Sequence, residues 1–466
     1  MMRLLNVLGI LVLGGIVAFI ALNLFDSEAV QNPITPPNLK PASLAADNGF
    51  YILWLLAEPA ETEIAARSAI MPIRALFDPG YDNERTIAAY VETKISKARS
   101  SQAWKEFSPP FPADTDPAGK DWFPFFTDNR QAVVKQKEQY AVLLSRYERL
   151  LASPRIEDFT LPRDDAPLPN LVMWMKVAKL STGIQIVQAL DGQWAEAASA
   201  LIAQVDLCRR SISNSRALVF NLVGKAVMTQ SLRALACLLS QEACPPAVMS
   251  QVLGGLAPLT YAEFGTRQGF TFEYLAMADQ IDRIESGRLR EDDLDLPLPG
   301  YLGPLLLNSN RTKQYFAEYW NKMIEYESKP PHTWPALTAL GYTRQSSHFL
   351  WWVRNPVGKI VADIAIPNME GVARRSYALK ARHDLVRISA ELHLKRRAGQ
   401  SAGALLPSLE SYRALDPYSG RHYIYNEGNG VLYSIGPDRV DGGGIEKLMR
   451  SSMDSDIVMI CSLASK

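Results

Sequence analysis

Residues 4–25, LLNVLGILVLGGIVAFIALNLF, make an uncharged apolar run that begins directly after a single basic residue, Arg3. A helix rises about 1.5 Å per residue, so this run is long enough to cross a hydrocarbon layer of about 30 Å. The sequence therefore predicts a transmembrane helix, and everything downstream is placed relative to a bilayer. A cleaved leader also has a basic start and an apolar middle, but its apolar core runs about 7–15 residues and ends in a small-x-small site. Here LNLFDSEAV offers only a poor version of that site around Ser27 and Ala29. Arg3 before the run, with Asp26 and Glu28 after it, predicts an amino terminus held in the cytoplasm. The expected location is the inner (cytoplasmic) membrane, single-pass, with the bulk of the chain exported to the periplasm.

A chain of 466 residues, 47% of them hydrophobic, has ample material for a sizeable core and for two domains beyond an anchor. Its 49 basic and 49 acidic residues cancel, which removes any global electrostatic argument for nucleic acid as a partner. No second uncharged run of membrane length occurs, because the apolar stretch 217–239 is interrupted by Lys225 and Arg233. Four cysteines, Cys208, Cys237, Cys244 and Cys461, are too few for a disulfide scaffold and lack zinc spacing. Cys237 and Cys244 lie either side of an expected helix end. They read equally as a small disulfide loop or as two buried apolar residues.

Pro33, Pro36, Pro37 and Pro41 make residues 26–46 a semi-stiff spacer after the anchor at 1–25. A helical domain is expected over 47–350. Asn48 starts a short apolar helix that stops near Pro59, and further helices are predicted over 61–77 and 82–97. Residues 107–126, rich in Pro, Phe and Asp, read as an ordered loop. Apolar positions from Val133 to Leu151 recur at three- and four-residue spacing, which predicts one amphipathic helix over 128–152. Helices follow near 171–189, 194–211, 217–239, 246–256, 261–286 and 310–327, with a Pro- and Leu-rich loop at 294–307. Short joints between them imply antiparallel neighbours in an irregular array, and no fixed repeat period is present. Residues 351–466 are expected to form a small α+β module. It opens with a long helix over 369–395 whose polar face is basic, read as a solvated face or as a docking surface for anionic lipid or an acidic partner. The fold class is thus mainly α, with a β-hairpin only near the end: Tyr423, Tyr425, Val431, Tyr433 and Ile435 alternate around a turn at 427–430.

That last region carries a resemblance. A basic helix, then Leu415-Asp416-Pro417-Tyr418-Ser419-Gly420, then HYIYNEGNGVLYSIGPDRVDGGG, resembles the globular end of the major pseudopilin of type II secretion systems. The likeness covers about residues 371–459. It implies a calcium ion held after the hairpin by backbone carbonyls and Asp side chains. By position, Asp438, Asp441, Asp454 and Asp456 would be the ligands, a hard oxygen set that suits calcium. Two departures stand against a direct transfer. The segment IEKLMRSSM lengthens the loop, and residues 26–368 separate the membrane run from the helix with which it is continuous in pseudopilins. Taken whole, the order of anchor, Asn48-Gly49-Phe50-Tyr51, helical array, Asn355-Pro356-x-Gly358 and hairpin is similar to single-pass bacterial envelope proteins, a likeness that implies architecture and no activity.

Catalytic templates find no match. The five histidines have no metal spacing, and no G-x-S-x-G elbow, phosphate-cradling loop or Cys-His signature is present. His383 and His393 on the long helix read as surface or capping residues, and Glu263, Glu273 and Asp279 as exposed helix charges. The expected role is a membrane-anchored binding or scaffold protein of the envelope, with other envelope or secretion-apparatus proteins as partners, rather than an enzyme. The alternative is a hydrolase with its site in the helical domain.

Overall fold

The computed structural model describes residues 30–31, 33–34, 47–56, 106–112, 122–163, 166–286, 307–334, 355, 358, 370–396, 401–445 and 456–460. The membrane run, nearly all of the spacer, the helices expected over 61–77 and 82–97 and most of the loop at 294–307 lie outside these residues.

The described chain is mainly helical, with one small antiparallel sheet. Its first helix, α1 (Phe50–Leu55), is started by Asn48 as expected, and that side chain does more than cap. Its Oδ1 accepts from the backbone N–H of Phe50 and of Glu157, while its Nδ2 donates to the Glu157 carbonyl at 2.7 Å. Two segments a hundred residues apart are thereby pinned together. After α2 (Trp122–Asp128), which is helical where a loop was expected, the single amphipathic helix is in fact two, α3 (Arg130–Gln139) and α4 (Ala141–Leu151). Tyr140 leaves helical geometry at φ −110°, ψ 28°. From α4 the buried Arg146 donates to the Leu55 and Leu56 carbonyls, closing the end of α1.

The centre is a set of long helices: α5 (Leu171–Leu190), α6 (Trp194–Ser213), α7 (Leu218–Leu239) and α8 (Pro246–Gly255). Asn170 caps α5 by accepting the Met173 amide, and Gly192 at φ +85° turns the chain back into α6. Pro245 and Pro246 start α8, where a missing amide donor does no harm. Among the described residues only α7 has the length and hydropathy of a membrane span, and most of it is buried inside the array. Cys237 and Cys244 are both buried and are not joined, in keeping with the apolar reading. The helix expected over 261–286 is split by Gly265 into α9 (Tyr261–Phe264) and α10 (Arg267–Glu285), and α11 (Ser309–Glu327) packs on α10.

The long helix α12 (Glu370–Lys395) touches α7 and α8 on one side and the sheet on the other. A short α13 (Ala402–Leu405) leads to β1 (Ile424–Asn426), β2 (Val431–Ser434) and β3 (Ile457–Ile460), all antiparallel with β2 central. The first pair is the expected hairpin, with Asn426 opposite Val431; β3 was not anticipated. Leu432 and Ile457 join one hydrophobic core that reaches back to Phe50, whereas Val431, Tyr433 and Val458 form a small cluster of their own.

The basic face expected on α12 is solvated only in part, at Arg375 and Lys395. Arg374 and Arg382 are buried, and Arg374 donates to the Pro437 carbonyl with its guanidinium 5.5 Å from the Trp334 ring centre. His383 is fully buried, its Nδ1 3.8 Å from Asp384 and neither ring nitrogen hydrogen-bonded, so it is no surface residue. Burial lowers the pKa of both helix histidines, His393 to about 4.

A polar node ties α12 to the array. Lys225 of α7, only 5% exposed, donates to Thr266 Oγ1 at 2.8 Å and Ser376 Oγ at 2.7 Å. Both hydroxyls donate in turn to the Glu327 carboxylate, which also accepts from Tyr261 at 2.6 Å; Tyr377 reaches the Glu327 carbonyl at 2.7 Å. Burial drops the Lys225 ammonium to about 8, with Glu327 acting in the opposite direction. Removing one charge from such a node strands the other, a loss of about 3–5 kcal/mol. Lys225→Met is therefore expected to lower the urea midpoint by that equivalent, and Lys225→Met with Glu327→Gln to lose less than the sum of the two single changes. Additive losses would mean that the two charges do not communicate.

A second expectation concerns acid. Unfolded histidine takes up a proton near pH 6.5, while His393 in the fold resists until about pH 4 and His383 also resists. Between those values the unfolded chain binds more protons, so stability falls on acidification by up to about 1.4 kcal/mol per pH unit for each histidine. Urea titrations from pH 7 to 4.5 should show this slope, and His393→Gln should reduce it. A flat profile would contradict the burial of both rings.

Candidate functional site

The site proposed by resemblance is the loop between β2 and β3, and the structure gives its aspartates unequal surroundings. Upstream, Asp416 of the Asp-Pro turn is buried, accepting from Ser434 Oγ at 2.7 Å and from the Tyr418 amide at 3.1 Å. It fastens the turn to the end of β2. The Tyr418 hydroxyl then donates to the Arg374 carbonyl of α12 at 2.6 Å, and the Pro417 carbonyl accepts the His332 amide at 3.0 Å. The loop thus hangs from a base fixed on three sides.

Asp456, 1% exposed, accepts the Gly442 amide on Oδ1 and the Gly444 and Ile445 amides on Oδ2, the shortest at 2.8 Å. Asp441 is exposed and accepts from Gly443 N at 2.9 Å and Tyr433 Oη at 2.8 Å. Asp438 accepts only the Val440 amide two residues on, an Asx turn. Asp454 lies outside the described residues. The fold therefore gathers Asp441 and Asp456 onto one triglycine loop and sets Asp438 into the turn before it. Burial pushes the Asp456 carboxyl up, with Asp441 adding to that and the three amide bonds opposing it. A buried carboxylate with a second carboxylate on the same loop fits part of what a divalent cation needs. Calcium takes six to eight oxygens, so carbonyls or water would have to complete the set. Among the described residues no group of three or more His, Cys, Asp or Glu comes together.

Elsewhere, chemistry-bearing residues that the sequence did not flag turn out to be structural. Lys225 and Ser376 have the separation of a base and a nucleophile, but Ser376 and Thr266 are fully buried and Ser376 is spent on Glu327. A Lys in the middle of a largely apolar helix was the available signal. Glu391 accepts the Glu410 and Ser411 amides and the Ser411 hydroxyl and pairs with Lys395 at 2.7 Å; these bonds outweigh burial and hold its carboxyl at about 2. Glu263, read as an exposed helix charge, closes a capping box with Thr260 and pairs with Arg209 at 2.7 Å. Glu273, read the same way, lines a cleft.

The loop geometry separates its aspartates experimentally. An amide at 456 cannot accept on both sides, so Asp456→Asn should lose about 1–3 kcal/mol, whereas Asp438→Asn keeps its turn and should change little. Gly444→Ala should also destabilise, because φ is +81° there and a Cβ would sit 3.1 Å from Tyr433. Thermal melts in chelator rank the three, and equal effects at 438 and 456 would refute this account of the loop.

No family model, curated protein or solved structure matches the chain.

Proposed function

We propose that this chain is a membrane-anchored, exported binding or scaffold protein of the bacterial envelope. Residues 4–25 span the bilayer, residues 26–46 space the folded body from it, and the loop after β2 engages a protein partner, with secretion-apparatus subunits the class suggested by the pseudopilin resemblance. The observation that carries this reading is how loop 436–445 is held. Its backbone is tied down by Asp441 and Asp456, yet Val440 and Ile445 stand 62% and 57% exposed beside the exposed Asp441. Large apolar side chains displayed on a fixed loop are a usual ingredient of a recognition surface, since little order is lost on binding.

Calcium belongs to the same proposal. Asp441 and Asp456, with Asp438 and Asp454 by resemblance, would hold the ion, which would offset the mutual repulsion of the carboxylates and stiffen the loop further.

The test uses the full chain. A reporter fused after Lys466 should be active outside the cytosol; activity confined to the cytosol would overturn the topology. A photocrosslinker at Val440 should capture envelope proteins in cells, and capture unchanged when the crosslinker is moved to Val172 on α5 would remove the loop from the proposal. Melting of the purified chain should rise with added calcium and fall with chelator, and Asp456→Asn should abolish that response. An unchanged transition would eliminate the ion.

A further inference from the structure

We propose that the cleft lined by Thr160, Ala166 and Leu168, the start of α7 and the middle of α10 binds a small amphipathic cation, its ammonium head on Glu273 and its aliphatic tail on Leu168, Leu218 and Met277. On α10, Phe272, Glu273, Ala276, Met277 and Gln280 fall on one face by helical spacing. Leu168, Ala217 and Leu218 line the same space. The cavity is about 250 Å³. At roughly 30 Å³ for each water-sized group, it takes about eight such groups, enough for a charged head and a tail of five or six carbons.

Charge selects the head. Glu273 makes no hydrogen bond or ion pair among the described residues, and burial alone pushes its carboxyl up. A half-buried carboxylate left unpaired in a cleft of mixed polar and apolar walls is unfavourable, and an incoming cation relieves it, whereas an anion worsens it and a neutral head relieves it less. Two other features could have favoured an anion, and both are accounted for. Arg163 also lines the cleft but has polar contacts of its own and does not lower the Glu273 carboxyl. The positive end of α7 is already met by Asp158, which accepts the Arg216 and Ala217 amides at 2.8 and 2.9 Å.

Calorimetric titration of the full chain in lipid nanodiscs, with empty discs subtracted, tests it using hexylamine, hexanol and hexanoate. Hexylamine should bind saturably and at least tenfold more tightly than either of the others. Glu273→Gln, which keeps the size and removes the charge, should weaken hexylamine at least tenfold while melting no lower than the parent. Met277→Trp should fill the cleft and have the same effect on binding. If Met277→Trp does not fold, Glu273→Gln decides alone. Hexylamine that fails to saturate above the blank, that binds less than tenfold more tightly than hexanol or hexanoate, or that loses less than tenfold in affinity on Glu273→Gln would overturn the proposal.

Discussion

A helix rich in charged residues runs through the interior, and the rest of the structure is arranged to make that tolerable. Moving an ion out of water is unfavourable by several kcal/mol even after relaxation, so each charge along α12 needs its own answer. Arg374 has the Pro437 carbonyl and the Trp334 ring; Asp384 has Lys380 and the Tyr423 hydroxyl; Glu391 has Lys395 and three donors from residues 410–411. Ser376 carries no charge but sits between Lys225 and Glu327. These partners come from the array, the sheet and the loops alike. Lys380 and Lys395 lie on α12 and move with it, but a shift of the helix by one residue would break the contacts to Pro437, Trp334, Tyr423, residues 410–411, Lys225 and Glu327 together, so its position is better specified than hydrophobic packing alone could make it.

This also explains which parts of the fold were legible in the sequence. The helices from α5 to α8 follow the apolar period closely because their ends carry chemical stops, Asn170, Gly192 and Pro245-Pro246, that act locally. The breaks at Tyr140 and Gly265 were missed because the apolar spacing continues across them. At Tyr140 the i to i−4 hydrogen bonds continue on both sides of the distorted residue, so nothing in the local pattern interrupts the run. β3 went unread because a four-residue apolar run does not distinguish strand from helix until a partner is known.

The error over α12 is more instructive. Basic residues on a helix predict a wet face only when their partners are absent, and the partners of Arg374, the Pro437 carbonyl and the Trp334 ring, are groups that single-helix patterning does not weigh. Lys225 shows the same limit from the other side. In the sequence it reads as the residue that spoils a membrane span; in the fold it marks where five elements meet.

The Asp-Gly loop follows β2, and its physics comes from the sheet. Asp441 follows β2 and Asp456 precedes β3, so the register that sets Ser434 opposite Ile457 also sets the distance between the two carboxylates. The amides of Gly442, Gly444 and Ile445 engage both oxygens of Asp456, which fixes its plane while leaving lone pairs unclaimed. A ligand that draws the two carboxylates together must therefore pull on the β2–β3 pairing. Leu432 and Ile457 lie in the core shared with α12, so that pull reaches the helix whose charges the array has already fixed. The strands that flank the loop are thus packed against α12 through side chains of one core rather than joined to it by a hinge.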